Sequence, residues 1–133
     1  MLPPALQPTL AIEVAPAAVA SLAWFEIHGA RIDTVIAALA GYGLLMVLAQ
    51  VRLLPTYLRL PFMPSTWAFT FSWAAVVTAA YLWLQATHPP GYRLEQDVLL
   101  TVITAFIGGI GVRTLRALSV GQLLPGPPRK EDP

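Results

Sequence analysis

Four long runs of apolar residues alternate along the chain with short segments that hold most of its prolines. Each run has the roughly 17–25 residues that an α-helix needs to cross the hydrocarbon core of a bilayer. The apolar residues are continuous rather than confined to one helical face, which is typical of helices surrounded by lipid. We therefore predict an all-α integral membrane protein with about four transmembrane helices, at residues 9–27, 33–54, 64–86 and 97–118.

The ends of the chain and the connections lack this apolar character. Residues 1–8 contain several prolines and are predicted to be a connector. Residues 119–133 are rich in proline and charge, and we predict a disordered cytoplasmic tail there. Asp33 and Asp97 stand at the predicted starts of the second and fourth helices, where a carboxylate accepts hydrogen bonds from free backbone amides.

Composition supports the bilayer as the solvent of this chain. Hydrophobic residues make up 56% of the sequence and charged residues only 11%, whereas soluble domains carry about 25% charged residues. The net charge of +1 provides no basic field for nucleic acid, and the absence of cysteine excludes thiolate chemistry. No motif of catalytic, cofactor-binding or metal-binding residues occurs, so we predict neither an enzyme nor a cofactor nor a metal site.

The arginines orient the predicted helices. Arg52 and Arg59 flank the second connection, and Arg113 and Arg116 lie at the end of the fourth helix. By the positive-inside rule, the second connection and the C-terminus face the cytoplasm. Four crossings then place the N-terminus there too, which predicts a multi-pass protein of the cell membrane with both termini in the cytoplasm.

Glu13 is the charge that stands out in the first apolar run. An ionised carboxylate is costly in lipid and tends to face a cavity or a partner, which makes Glu13 a candidate for proton coupling or for binding a cation. The alternative is that Glu13 lies near the cytoplasmic interface and reaches water. Pro16, three residues later, is able to kink this helix and free backbone groups to face a pore.

Aromatic residues of the third run fall on two faces. At about 100° per residue, Phe62, Phe69 and Trp73 share one face, and Trp67 and Phe71 lie roughly opposite. Lipid occupies only part of the circumference of a bundled helix, so some of these rings are expected to pack inward. Ordinary packing and lipid contact are the alternatives to a gate.

Small and hydroxyl-bearing side chains complete the candidate residues. Thr70 and Ser72 carry hydroxyls that either bond backbone carbonyls or line a wet path. Glycines in apolar helices let a second helix approach closely, and we expect this packing role rather than a ligand site. The glycines concerned are Gly41, Gly108, Gly109 and Gly111.

The stretch from Leu53 to Ala75 resembles the tellurite-resistance/C4-dicarboxylate transporter family, which includes TehA, malate permeases and slow-type anion channels. The resemblance lies in a basic loop, a Pro-Phe-x-Pro turn and an aromatic helix opening. An upstream stretch is similar to the family's Ala-Pro helix. The matching residues are Pro61, Phe62, Pro64, Trp67, Ala68, Phe69, Phe71 and, upstream, Ala15 and Pro16.

The resemblance implies a fold of ten helices in five hairpins around a central pore, usually as a trimer. This chain would supply helices seven to ten, so that the odd-numbered, pore-lining helices are the first and third segments. Phe71 is then the expected gate and Phe69 the fallback, with Glu13 and Pro16 on or near a pore-lining helix. Ser72 stands where many members have a proline.

The function predicted from this resemblance is transport of small anions or C4-dicarboxylates through a pore gated by an aromatic residue. Since two hairpins do not enclose such a pore, we expect missing N-terminal helices or a homo-oligomer, besides lipid, as partners. One alternative is a four-helix exporter of the small multidrug resistance type that uses Glu13. Another is a membrane subunit that packs against other helices without transporting anything.

Overall fold

The computed structural model describes residues 10–29 and 31–121, and all regular structure in this part of the chain is helical. A 3-10 turn at residues 10–14 leads into the first of four α-helices, and a second 3-10 turn, Pro64–Trp67, precedes the third. The helices are α1 (Ala15–His28), α2 (Thr34–Tyr57), α3 (Ala68–Thr87) and α4 (Tyr92–Ser119).

Four helical spans in the described residues are long and apolar enough to cross a membrane, and they confirm the all-α multi-pass class. They run from Leu10 to His28, Thr34 to Tyr57, Pro64 to Thr87 and Tyr92 to Ser119. The predicted connector and all but the start of the predicted tail lie outside the described residues.

The start of α4 differs from the prediction. Gly91 adopts a left-handed conformation with φ 85°, which turns the chain into a helix that begins at Tyr92. Asp97 therefore lies inside α4, where its carbonyl oxygen accepts a hydrogen bond from Thr101 Oγ1 at 2.7 Å. The expectation that Asp97 opens this helix is wrong, whereas Asp33 does cap α2 by accepting a hydrogen bond from the backbone N–H of Ile36 at 2.9 Å.

Pro16 lies in the first turn of α1 rather than in its interior. A proline there removes no intrahelical hydrogen bond, because the first amides of a helix have no partner within it. The change from 3-10 to α geometry occurs at Ala15, so Pro16 lies directly after this change within the first membrane span.

Helices α1 and α3 form the centre of the bundle. Helix α1 packs against α2 and α3, and α4 packs against α3. Small side chains on α1 allow this close approach, and the ring of Phe25 meets the edge of Trp83 of α3 at 6.3 Å between centroids. The buried residues of α1 are Ala15, Ala17, Ala18, Ser21 and Phe25.

Side-chain hydrogen bonds tie α3 and the 3-10 turn before it to α4. Trp67 Nε1 donates to Thr114 Oγ1 at 3.0 Å, and Gln96 Nε2 donates to the carbonyl oxygen of Tyr81 at 3.2 Å. Every buried side-chain nitrogen and oxygen in the described part of the chain has a hydrogen-bond partner. Satisfied polar groups matter here because an unpaired one costs several kcal/mol in hydrocarbon, roughly 2–7 by transfer measurements.

Candidate functional site

Helix α3 and the segment just before it carry the aromatic residues that the sequence singles out, and the faces of α3 have different surroundings. Ser72 is fully buried, and Trp83, eleven residues later and thus on nearly the same face, contacts Phe25 of α1. Trp67 bonds to Thr114, which turns its side of the helix toward α4. The face between these two contacts is open and includes Phe71.

Phe71 projects from this open face with 60% of its surface exposed. Thr78 and Gln85 follow at seven-residue intervals, so they lie on the same side of α3, and both are exposed. We call Phe71, Thr78 and Gln85 the Phe71 stripe. It is a surface that α1, α2 and α4 of the described chain leave uncovered around a large aromatic ring.

Phe69 lies on the opposite side of α3. Its ring meets the ring of Tyr57 of α2 edge to face, with 4.8 Å between centroids. Together with Phe62 and Trp73 it lines a groove between α2, α3 and α4. Phe69 and Trp73 share this face of α3 as predicted, but the helical face predicted for Phe62 is wrong, because Phe62 lies in the non-helical segment before the 3-10 turn. Phe69 and Phe71 thus have different neighbours, although only one residue separates them.

The hydroxyl groups of Thr70 and Ser72 both bond within their own helix. Ser72 Oγ donates to the carbonyl oxygen of Ala68 at 3.1 Å, and Thr70 Oγ1 donates to that of Trp67 at 2.7 Å. Ser72 is buried where α3 faces α1, so its small size serves the contact of the two helices. Thr70 is half-buried on the side of α3 that faces α4.

Glu13 and Pro16 are both exposed on the first membrane span. They lie on the side opposite the buried face of α1, as expected for residues three apart on one helical surface. Glu13 is in the 3-10 turn that precedes α1 and interacts electrostatically with Tyr57 at the end of α2. The first span therefore presents a carboxylate at the end where α2 finishes and α3 starts.

Gly43 lies at the contact between α1 and α2, although it is not among the glycines predicted to pack. A Cβ atom added to Gly43 would lie 3.7 Å from the Cβ of Ala17. By contrast, a Cβ added to any of the four selected glycines would meet nothing within 4 Å in the described residues. The packing role of Gly41, Gly108, Gly109 and Gly111 therefore stays a prediction that concerns helices beyond these four.

A polar cluster closes the opposite end of the bundle, at the turn between α1 and α2. The Asp33 carboxylate accepts hydrogen bonds from the Ile36 amide and, at 3.0 Å, from Trp24 Nε1. The ring of His28 stacks on Trp24 with 3.9 Å between centroids. The amide of Ile36, and then the indole of Trp24, hold the pKa of Asp33 below its usual range.

In the described residues, no group of three or more histidine, aspartate or glutamate side chains is placed to hold a metal ion.

Comparison with known proteins supports the resemblance seen in the sequence. The profile of the SLAC1 family, described as voltage-dependent anion channel, matches residues 1–115. The chain is also 29% identical over 121 residues to the tellurite resistance protein TehA homolog of Haemophilus influenzae. This alignment covers 91% of the chain and 36% of the relative, so the chain spans about a third of the length of the curated relative that it matches. No solved structure matches the chain. With four helices able to cross a membrane and a family match over most of its length, this chain belongs to the SLAC1 family of voltage-dependent anion channels.

Proposed function

We propose that this chain forms part of an anion-conducting pore, with α1 and α3 as its pore-lining helices and Phe71 as an aromatic constriction. The observation that carries the proposal is the exposure of Phe71 on a face that the other described helices leave open. The face of α1 that bears Glu13 and Pro16 is exposed as well. Exposed polar groups and a large ring on these two helices are what a gated pore wall requires.

The proposed mechanism relies on a narrow apolar passage. An apolar constriction loses its water readily and so blocks ions until the ring of Phe71 moves aside. Arg113 and Arg116, in the last two turns of α4, raise the local concentration of anions and disfavour cations. Such a site needs no covalent chemistry, in keeping with a transport protein rather than an enzyme.

Further helices are part of the proposal, because four helices do not surround a pore. The relative that this chain matches is considerably longer, and its remaining length or further copies of the chain would complete the wall. A homo-trimer is the assembly that we propose for the complete pore. The family match over residues 1–115 favours this function over a small multidrug resistance-type exporter.

We also propose an orientation. Helices α2 and α4 end on the same side of the bundle, where Arg52, Arg113 and Arg116 lie. Because arginine and lysine are enriched on the cytoplasmic side of membrane proteins, we assign this end to the cytoplasm. Glu13 then lies at the cytoplasmic entrance, where a carboxylate is able to take up and release protons.

Anion flux in proteoliposomes tests the proposed gate. Chloride and malate efflux, driven by a potassium diffusion potential, is compared for the native chain, Phe71→Ala and Phe69→Ala. Removal of the ring should raise the flux only in Phe71→Ala, because Phe69 packs against Tyr57 away from the open face. Equal flux in native chain and Phe71→Ala, with both proteins folded, would reject the gate.

Chemical labelling tests the pore face without requiring conduction. The sequence contains no cysteine, so single cysteines introduced at Phe71, Thr78 and Val77 report their own surroundings. An anionic, water-soluble thiol reagent should label positions 71 and 78 and leave position 77, in the groove, unmodified. Labelling of position 77 alone would reject the proposed pore face, because water would then reach the groove side of α3 and not the side that bears Phe71.

Glu13→Gln separates the two interpretations of this carboxylate. If Glu13 couples protons to transport, the variant loses the pH dependence of anion flux that the native chain shows. An unchanged pH profile would make Glu13 an interfacial residue that only reaches water. Glu26→Gln, at the other end of α1, is the matched control.

A further inference from the structure

The groove between α2, α3 and α4 is a second open feature of this chain, separate from the Phe71 stripe. It has a volume of about 420 Å³, within the range of pockets that bind small molecules. Its walls include Leu54 of α2, Trp73 of α3 and Phe106 of α4, and most of its lining is apolar. We call it the α2–α3–α4 groove.

The groove extends over only one half of the membrane. On α4 it reaches from Val102 to Arg113, which is about 16 Å at a rise of 1.5 Å per residue. The hydrocarbon core of a bilayer is about 30 Å thick, so this length corresponds to one leaflet. On the other helices the groove lies along the last turns of α2 and the first turns of α3, which are at the same end.

The polar groups of the groove are concentrated at that end. The guanidinium of Arg113 lies over the ring of Phe62, 5.2 Å from its centroid, and both residues line the groove. The hydroxyl of Tyr57, also in the lining, bonds to Gln50 Oε1. Glu13, the described carboxylate at this end, does not line the groove. An apolar groove one leaflet long matches the length of a phospholipid acyl chain, and the cation at its mouth complements an anionic headgroup.

We propose that the α2–α3–α4 groove is a binding site for an anionic phospholipid. The acyl chain lies along Leu54, Trp73 and Phe106, and the phosphate pairs with Arg113 at the interface that we assign to the cytoplasm. Arginine forms two parallel hydrogen bonds with a phosphate, and basic pockets between membrane helices are suited to such headgroups. The proposal does not require a pore, so it stands or falls separately from the proposed gate.

Lipid association measured by electron paramagnetic resonance tests the site on the full 133-residue chain. Spin-labelled phosphatidylglycerol and spin-labelled phosphatidylcholine are compared in vesicles of dioleoylphosphatidylcholine. On the order of a fivefold preference for phosphatidylglycerol is expected, since one arginine near the surface attracts an anionic lipid by about 1 kcal/mol. Arg113→Gln should abolish the preference. Arg93→Gln, an exposed arginine at the other end of α4 and outside the groove, should leave it unchanged.

A second pair of variants tests the apolar part of the groove. Leu54 and Leu48 are both exposed on α2, but only Leu54 lines the groove. Leu54→Trp should fill the groove and reduce the fraction of motionally restricted phosphatidylglycerol at least twofold, whereas Leu48→Trp should not. Equal association of the two lipids with the native chain would overturn the proposal, as would a preference that survives both Arg113→Gln and Leu54→Trp.

A protein occupant would give a different result. If a second copy covers the groove so that the two grooves face each other, the cysteines introduced at Leu54 of both copies form disulfide-linked dimers in the membrane on oxidation. Spin-labelled phosphatidylglycerol would then show no preference that depends on Arg113. This outcome rejects the lipid and identifies the groove as a helix interface.

Discussion

The side-chain amide of Gln50 donates a hydrogen bond to the carbonyl oxygen of Leu10 across 3.0 Å, and so joins α2 to the first turn of the first span. The same side chain accepts a hydrogen bond from the hydroxyl of Tyr57 at 2.9 Å. Gln50 is only 5% exposed. These two hydrogen bonds, which we call the Gln50 relay, link the 3-10 turn that carries Glu13 to the end of α2. The end of α2 lies on the same side of the bundle as the start of α3, the helix that bears Phe71.

Replacing Gln50 by leucine should therefore destabilise the bundle. Two hydrogen bonds are lost, one between the first span and α2 and one within α2. Interhelical hydrogen bonds in membrane proteins contribute about 0.6 kcal/mol on average, with a maximum near 1.7. We expect Gln50→Leu to lower the free energy of unfolding by about 1 kcal/mol and Tyr57→Phe, which loses one of these bonds, by about half as much. Unfolding in bicelles with increasing sodium dodecyl sulfate measures both values. Equal stability of the native chain and Gln50→Leu would contradict the relay.

Ser72 provides a test of helix packing between α1 and α3. Because this residue has no exposed surface, Ser72→Leu must push the two helices apart, at a cost of about 1–3 kcal/mol for an overpacked core position. Ser72→Ala keeps the size and loses only the bond to Ala68, so it should be close to neutral.

Thr78→Leu is the control for Ser72→Leu. Thr78 makes the same kind of bond, from Oγ1 to the carbonyl oxygen of Ala74 at 2.8 Å, but its side chain is exposed. The leucine has space there, so the thermal midpoint should stay unchanged. If Thr78→Leu loses as much stability as Ser72→Leu, the assignment of the α1–α3 contact to the Ser72 face of α3 is contradicted.

Features that depend on neighbours along the chain could be predicted from the sequence. The four spans follow from hydropathy and length, and Asp33 follows from the free amides that open a helix. The common face of Phe69 and Trp73 follows from helical periodicity, because a rotation of about 100° per residue fixes relative direction within α3. The same argument does not reach Phe62, which is separated from α3 by a 3-10 turn.

Features that depend on distant partners could not be predicted in the same way. The bond of Gln50 to Leu10 joins residues forty positions apart, and the sequence offers only a polar residue within an apolar run as a signal. The start of α4 depends on the left-handed conformation of Gly91, which composition alone does not locate. Gly43 and Gly41 are alike in sequence, and only the position of Ala17 distinguishes them.

Acid should weaken the turn between α1 and α2. Hydrogen bonds from the Ile36 amide and the Trp24 indole lower the pKa of Asp33 in the folded state, so the folded protein favours the ionised form. This contribution is present above the unfolded pKa of about 3.9 and is lost as the pH falls through the lower folded pKa.

Unfolding measured between about pH 3 and pH 6 tests the role of Asp33. We expect the native chain to lose stability below about pH 4 and Asp33→Asn to lose less. Asp97→Asn should retain the acid dependence of the native chain, because Asp97 caps no helix. An identical acid profile for the native chain and Asp33→Asn would show that other groups control this transition.

Gly43 and Gly41 should respond differently to the same substitution, because they lie on different sides of α2. A Cβ atom at position 43 already lies 3.7 Å from the Cβ of Ala17, so a leucine there has to displace α1, whereas a Cβ atom at position 41 meets no atom of the described chain within 4 Å. We expect Gly43→Leu to cost about 1–3 kcal/mol of stability and Gly41→Leu to leave the isolated bundle as stable as the native chain.

Cross-linking in the membrane adds the second half of the test. If Gly41 packs against a helix outside these four, Gly41→Leu reduces association while Gly43→Ala, whose Cβ fits at an ordinary contact distance, does not. Unchanged association in Gly41→Leu would assign that face of α2 to lipid.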